Sequence, residues 1–314
     1  MTMSMTQSMP GASNTAGKDS PLLNLRNVGI SLPGHGQPFD VLTDISLTVG
    51  RGEIVGIAGE SGSGKSMTGR ALLNLLPSGA VRRGEIEFDG TDISTFDRKS
   101  WRKLRGGDIA MVFQDPTAAL HPMLTVGTQL TEHIKVHLGL KKIAARERAV
   151  ELLDLVRIPD PRNALDKYPH HFSGGMRQRI AIAIALAAEP KLVIADESTT
   201  ALDVTVQAGI LHLFDRLSRE MGLSIIFITH DLGVLAALAH RTYVFYAGRV
   251  MECAPTDQLI ADPQHPYTRA LLAARPDALD GQGKTTELQP IPGHPVTAAS
   301  APPGCPSRPD ARAG

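Results

Sequence analysis

GESGSGKS, residues 59–66, follows the apolar run EIVGIAG at 53–59 and opens a stretch with helical character over 65–76. It fits G-x-x-x-x-G-K-[ST], the pattern of a loop that wraps phosphate groups between a strand and a helix. Glycines at 59, 62 and 64 let the backbone turn tightly, so that successive N–H groups face inward. The N-terminus of the following helix adds roughly +0.5 charge aimed at the same place. Gly59, Glu60, Ser61, Gly62, Ser63, Gly64, Lys65, Ser66 and Met67 are therefore expected to surround the phosphates. Lys65 brings a full positive charge to the β- and γ-phosphates, and the Ser66 hydroxyl is a candidate ligand for Mg2+. A glycine-rich turn that merely contains a lysine is the plainer reading, and the flanking strand and helix argue against it.

The chain around this loop has 314 residues, with 32 Lys+Arg against 32 Asp+Glu. That length exceeds the roughly 100–200 residues of one domain, so a large domain with an appendage, or two domains, are expected. Apolar residues make up 42% and charged residues 20%, which excludes wholesale disorder, a collagen-like chain and a coiled coil. A net charge of zero gives no long-range attraction to nucleic acid or anionic lipid. The two cysteines, Cys253 and Cys305, cannot form a disulfide framework and fit a reducing compartment. The longest apolar run, residues 180–188, is half of the ~18 residues needed to span a bilayer. Residues 1–20 carry no basic segment followed by an apolar one, and read as a disordered leader rather than a signal peptide. A soluble intracellular protein is expected, one that reaches a membrane only through a partner.

Strands are expected at 22–32, 42–49, 53–59, 84–90, 109–114, 191–195 and 223–229, with two short ones near 242–253. Helices are expected at 65–76, stopped by Pro77 and Gly79, and at 143–156, 176–188, 204–220 and 231–239. Strands alternating with helices imply a mainly parallel sheet covered on both faces. Residues 117–172 lack strong strand signals and read as an inserted helical unit. One or two short helices follow Thr256, and after Pro276 a Pro-, Gly- and Ala-rich stretch reads as an irregular, mobile tail.

Four further segments carry chemistry. LVIADE, 192–197, is an apolar strand that delivers two carboxylates at its C-terminal end, the edge of a parallel sheet where ligands bind. Asp196 is a candidate metal ligand, and Glu197 is a candidate base for the attacking water. SGGMRQR, 173–179, sets Ser173, Gly174 and Gly175 before a helix, a second preformed anion site or an ordinary N-cap. A second site makes sense if each of two subunits offers its helix terminus to the other's nucleotide. Gln114 could reach metal or water, and His230, in ITHD after a strand, could hold the γ-phosphate or the water; a structural role is the plainer reading of either taken alone. His133 and His137 lie four apart, as a metal pair or an exposed amphipathic face would.

Gly59–Ser66, Gln114, Ser173–Gln178, Asp196–Glu197, Ala201–Leu202–Asp203 and His230 occur in that order, and together they resemble the nucleotide-binding subunit of an ABC transporter over roughly 22–275. ESGSGKS, VFQDP, YPHHFSGGMRQR, TTALDVTVQ and HPYTRALL (265–272) look like the oligopeptide/dipeptide/nickel importer branch. The resemblance implies an α/β P-loop NTPase (ABC ATPase) core with a mainly parallel sheet, an antiparallel β subdomain, a helical subdomain at about 115–175 and a short C-terminal extension. The ATPase domain would occupy 21–255, and 256–314 would be an importer-type extension with the HPYT motif and a Pro-rich tail. Two such subunits would sandwich two ATP molecules head to tail, with Asp203 at the dimer interface. Ser66, Gln114 and Asp196 would meet Mg2+, and Glu197 and His230 would be the catalytic groups. The Gln114 loop would couple nucleotide state to the permease.

The implied partners are a second ABC ATPase subunit of different sequence, two permease subunits and an extracytoplasmic solute-binding protein, with no nucleic acid. The implied place is the cytoplasmic face of the inner membrane. The implied activity is ATP hydrolysis energising import of peptides, with nickel, other metal chelates or opines as alternative solutes. A soluble ABC ATPase acting on nucleic acid or ribosomes usually shows long coiled-coil insertions, tandem cassettes or basic extensions, whereas this sequence has one cassette, zero net charge and no sustained heptads. A regulatory subunit without turnover is opposed by intact Lys65, Glu197 and His230. Three departures from the family pattern stand out. Ser198 replaces the usual Pro after the catalytic Glu. Phe39, the only Phe, Tyr or Trp between Ile30 and Val41, is nominated for the adenine, with packing inside the β subdomain as the other reading. Many relatives carry a C-terminal cysteine cluster, but here only Cys305 stands in PPGCPSRP, and no iron–sulfur cluster is expected, since four thiolates are normally required.

Overall fold

The apolar runs that end near Ala58, Asp196 and Ile228 are neighbouring strands in which every residue is buried. The computed structural model describes residues 20–34, 36–199 and 203–274, together with positions 296, 298 and 301. The chain begins with β1 (Leu23–Leu32), β2 (Phe39–Val49), β3 (Ile54–Ala58), α1 (Lys65–Leu72), β4 (Val81–Phe88) and β5 (Thr91–Asp92). There follow α2 (Arg98–Leu104), β6 (Ile109–Val112) and the helices α3 (Pro116–Ala119), α4 (Val126–Leu138), α5 (Lys142–Leu155), α6 (Pro161–Ala164) and α7 (Gly174–Leu186). The remainder is β7 (Leu192–Asp196), α8 (Val204–Met221), β8 (Ser224–Ile228), α9 (Leu232–Leu238), β9 (Arg241–Tyr246), β10 (Arg249–Pro255), α10 (Thr256–Ala261) and α11 (Pro266–Ala273).

Two sheets result. β2-β1-β4-β5 is antiparallel, and β10-β9-β3-β8-β7-β6 is parallel apart from β10. Side chains alternate across a strand, so each run in the parallel sheet serves two cores. Val55, Ile57, Ile194, Ile226 and Ile228 join the core shared with the antiparallel sheet, while Ile54, Ala58, Val193, Ile225 and Phe227 join the core under the helices. One face is therefore roofed by the antiparallel sheet and α1, not by helices alone. α1 comes close to the sheet because residue 69 is glycine, where a Cβ would lie 3.2 Å from Ile194.

The expected helix over 65–76 is shorter. Asn74 adopts φ 51°, Leu75 N–H donates to Arg70 O at 2.9 Å and Asn74 N–H to Ala71 O at 3.1 Å, a Schellman ending that stops α1 before Pro77 acts. α2 and α4 were not among the expected helices. The tail was expected to be mobile, yet at its described positions Val296 and Ala301 pack on the helical core, and Val296 N–H donates to Tyr246 OH at 3.3 Å. Cys305 lies outside the described residues. Phe227 of β8 meets Phe214 of α8 edge-on at 5.6 Å in the helical core. Replacing Phe227 by Ala is expected to lower stability by about 3–5 kcal/mol, measurable by urea denaturation followed by far-UV circular dichroism.

Candidate active site

Strands β6, β7, β8 and β3 lie side by side and parallel, so their C-terminal ends open on one edge of the sheet. Gln114 comes two residues after β6, Asp196 ends β7 with Glu197 following, His230 comes two residues after β8, and the 59–66 loop follows β3. Residues distant in sequence are thereby brought to one place by topology alone.

The loop needs its glycines. Gly59 has φ 143°, and a Cβ there would strike the Phe245 carbonyl oxygen; at Gly64, φ 102°, it would come within 2.6 Å of Leu42. The Lys65 ammonium folds back and donates to Gly59 O and Glu60 O, both at 2.8 Å. Burial pushes it below the usual lysine range, opposed by the negative charges of Glu197, Asp196 and Glu60. Ser66 Oγ donates to Asp196 Oδ1 at 2.9 Å. Burial pushes the Asp196 carboxyl above the usual aspartate range, and nearby Glu197 adds to the rise, while the Ser66 bond, Arg70 and Lys65 pull it down. Met67 packs, partly buried, on the core beneath the antiparallel sheet.

Glu197 has φ 44°, a left-handed conformation that costs of order 1–3 kcal/mol for a non-glycine residue. Its N–H is tied to Ile228 O at 2.9 Å. Gln114 Nε2 donates to Glu197 Oε2 at 2.9 Å, and His230 Nδ1 lies 3.6 Å from Oε1. The strained turn thus sets one carboxylate between an amide and an imidazole. Ser198, beside it, is buried, and its hydroxyl has no hydrogen-bond partner among the described residues.

The set suits a phosphate ester and a hard divalent cation. Ser63 Oγ is buried in the loop without a hydrogen-bond partner among the described residues, Lys65 offers a cation, and Ser66 and Asp196 offer two hard oxygen donors.

Other expected residues lie elsewhere. Ser173 caps α7, its Oγ accepting from Met176 N–H at 3.3 Å, and among the described residues no hydrogen bond joins it to the loop. Gly175 abuts Val206 of α8, where a Cβ would approach to 2.5 Å. Asp203 caps α8 by accepting from Val206 N–H at 2.9 Å, while Thr200, Ala201 and Leu202 lie outside the described residues. Phe39 opens β2 with 37% of its surface exposed, and Val41 and Leu42 just after it reach Gly64. That exposure does not suit a core residue of the antiparallel sheet. His133 and His137 rings sit 4.6 Å apart on α4 and pack against Gly106–Gly107, with His133 Nε2 3.1 Å from Gly106 O. Among the described residues no group of three or more His, Cys, Asp or Glu could hold a metal.

Sequence reading passed over the tie that holds the loop from outside. Ala247 and Gly248 have φ 47° and 74° and close β9–β10 as a two-residue hairpin of the primed type. Gly248 N–H donates to Ser63 O at 3.0 Å and its carbonyl accepts from Thr43 N–H at 2.8 Å, joining the loop to β2. The dipeptide Ala-Gly between two strand-like runs was the only local signal.

Residues 42–200, which include the loop, Gln114, the Ser173 segment and Asp196–Glu197, match the family described as ABC transporter. The chain belongs to that family. This ABC ATPase also matches, over 251–310, the family described as Oligopeptide/dipeptide transporter, C-terminal region. It is 47% identical over 285 residues to the Oligopeptide transport ATP-binding protein OppD of Bacillus subtilis, covering 90% of this chain and 79% of that one. To the Dipeptide transport ATP-binding protein DppD of the same organism it is 47% identical over 287 residues, covering 91% and 85%. Among solved structures it is similar to the dimeric post-hydrolysis state of the ATP-binding cassette MJ0796 bound to ADP and Pi. There the TM-score is 0.67 and the identity 29%, with 74% of this chain and 98% of that one covered. No helix among the described residues is long and apolar enough to cross a membrane.

The Asp196 shift has a consequence with a definite sign. A carboxyl raised in the folded state is costly to ionise there, so it lowers stability above its folded pKa, and the cost disappears as pH falls through that value. Asp196→Asn is therefore expected to raise the unfolding midpoint of the nucleotide-free ATPase at pH 7.5. Differential scanning calorimetry of the two proteins without nucleotide reads the shift.

Proposed function

We propose that this ABC ATPase hydrolyses ATP at the site built on Gly59–Ser66, Gln114, Asp196, Glu197 and His230, and that hydrolysis drives import of peptides. The observation that carries the chemistry is the placing of Glu197 between Gln114 and His230, at 2.9 and 3.6 Å, beside the buried Lys65–Ser66–Asp196 group. The match of 251–310 to the oligopeptide/dipeptide transporter region and the names of the 47%-identical relatives support peptides as the solute class.

In this reading the loop amides and Lys65 hold the β- and γ-phosphates, and Phe39 stacks on the adenine. Glu197 takes a proton from water as that water attacks the γ-phosphorus, yielding ADP and phosphate, while Gln114 and His230 hold the water and the phosphate oxygens in line. Bound Mg2+, held by Ser66, Asp196 and Gln114, would neutralise charge on the β- and γ-phosphates. Ser173, Gly174 and Gly175 stand at the N-terminus of α7 and would serve the nucleotide of a second ATPase subunit, of different sequence, with Asp203 at the interface.

The ATPase domain is assigned to 21–255, with its helical subdomain at about 115–175, and the extension to 256–314. The remaining partners are two permease subunits and an extracytoplasmic solute-binding protein, which places the chain on the cytoplasmic face of the inner membrane. A cavity of about 230 Å3 between β6, α4 and α7, lined by Leu75, Phe113, His133 and Ile184, lies close to Gln114 in the chain and suits a permease segment.

Lys65→Ala is expected to lose ATP binding. Glu197→Gln should keep binding while turnover falls by about 10²–10⁴-fold, the usual worth of a general base. Tagged Glu197→Gln protein, drawn from solubilised membranes with ATP present, should bring down two multi-span permeases and a second ATPase. Wild-type turnover in that variant would remove Glu197 from its role, and ribosomal or nucleic-acid partners without a membrane protein would overturn the transport reading.

A further inference from the structure

The extension after β10 reaches back to the phosphate loop. Glu252 of β10 accepts from Gln264 N–H at 2.8 Å and from His265 N–H at 3.0 Å, fixing the entry to α11. His265 then caps α11 by accepting from Tyr267 N–H at 3.1 Å, with Pro266 in the first turn. HPYT is thus a helix start whose entry is held by Glu252 and by the His265 cap, and it carries Tyr267 inward. The Tyr267 ring is 1% exposed and packs on Tyr246, the last residue of β9, at 4.5 Å between centroids. Its hydroxyl accepts from Glu60 N–H at 3.3 Å.

Glu60 N–H and the Gly59 carbonyl belong to one planar peptide unit. The Gly59 carbonyl of that unit accepts from the Lys65 ammonium at 2.8 Å. Tyr267 and Lys65 therefore grip opposite ends of a single rigid plane, and a rotation of the plane that freed one would move the other. Gly59 itself, at φ 143°, has the wide backbone freedom that would allow such a rotation. The opposite side of the loop is tied by Gly248 N–H to Ser63 O at 3.0 Å. Both ties come from the C-terminal part of the chain.

We propose that Tyr267 is a positioning residue for nucleotide binding, holding the Gly59–Glu60 peptide so that Lys65 and the loop amides are set before ATP arrives. A loop already ordered loses less freedom on binding, so the C-terminal extension sets the affinity of the ATPase for nucleotide. The inference rests on Gly59–Ser66 being the nucleotide site.

Tyr267→Phe keeps the ring on Tyr246 and removes the acceptor for Glu60 N–H. Calorimetric titration of the full chain with ATP and Mg2+, at a temperature where both proteins are folded, should show Kd raised about three- to tenfold, the worth of one hydrogen bond. In the assembled transporter KM for ATP should rise similarly while kcat stays within twofold. Loss of packing alone would lower the unfolding midpoint and leave Kd where it was, so an unchanged Kd overturns the proposal whatever the midpoint does. Should the variant fail to fold, hydrogen exchange on the wild-type chain decides: a slowly exchanging Glu60 amide supports the bond, and exchange at the unprotected rate contradicts it. Lys65→Ala, measured in parallel, tells the two failures apart. Unchanged affinity there would remove the nucleotide site itself, whereas lost affinity there with unchanged affinity in Tyr267→Phe would remove only the role of Tyr267.

Discussion

A buried ammonium among oxygen atoms governs the architecture of this ABC ATPase. Lys65 is 4% exposed and lies against the Gly59 and Glu60 carbonyls, close enough to Asp196 and Glu197 for their charges to matter. An unpaired buried charge would cost several kcal/mol, so the site must present oxygens from two directions at once. The loop supplies carbonyls and the end of β7 supplies carboxylates. Each is uncomfortable alone: burial lowers the lysine and raises Asp196. A polyphosphate with a divalent cation matches this arrangement, because it brings negative charge to Lys65 and positive charge to Asp196.

Meeting that constraint requires strands whose ends coincide and whose faces are both covered. β3, β7 and β8 satisfy it by sending alternate residues into two cores, one below the antiparallel sheet and one below the helices. Sheet order then does what chain order cannot, setting Gln114, Glu197 and His230 within reach of one another across three strand ends. Glu197 takes a left-handed backbone to sit there, and the bond from its N–H to Ile228 O ties that conformation to β8.

Much of this was legible in the residues. A strand buried on both faces must be apolar throughout, so EIVGIAG, KLVIA and LSIIFIT stood out, and the loop advertised itself through glycine spacing. The order of Gln114, Ser173, Asp196 and His230 carried the family resemblance, and the comparisons agree with the family and its importer branch. Other features depend on contacts between distant segments. Asn74 ends α1 because a short polar side chain tolerates the left-handed region, a preference that the downstream Pro77 masked. α4 was obscured by its mixed polar face with two histidines. Tyr267 and the Ala247–Gly248 turn left no local mark as parts of the site, since their meaning lies in a hydrogen bond to a loop roughly two hundred residues earlier. Ser173 caps its own helix in a single chain, and the role implied for it requires a second subunit.

The most direct test of the account is a high-resolution structure of the chain with ATP and Mg2+ bound. The account predicts the triphosphate in the 59–66 loop, with the Lys65 ammonium within about 3 Å of a phosphate oxygen and the amides of residues 62–66 turned to the same phosphates. Nucleotide bound elsewhere, with Lys65 still held only by the Gly59 and Glu60 carbonyls, would contradict it.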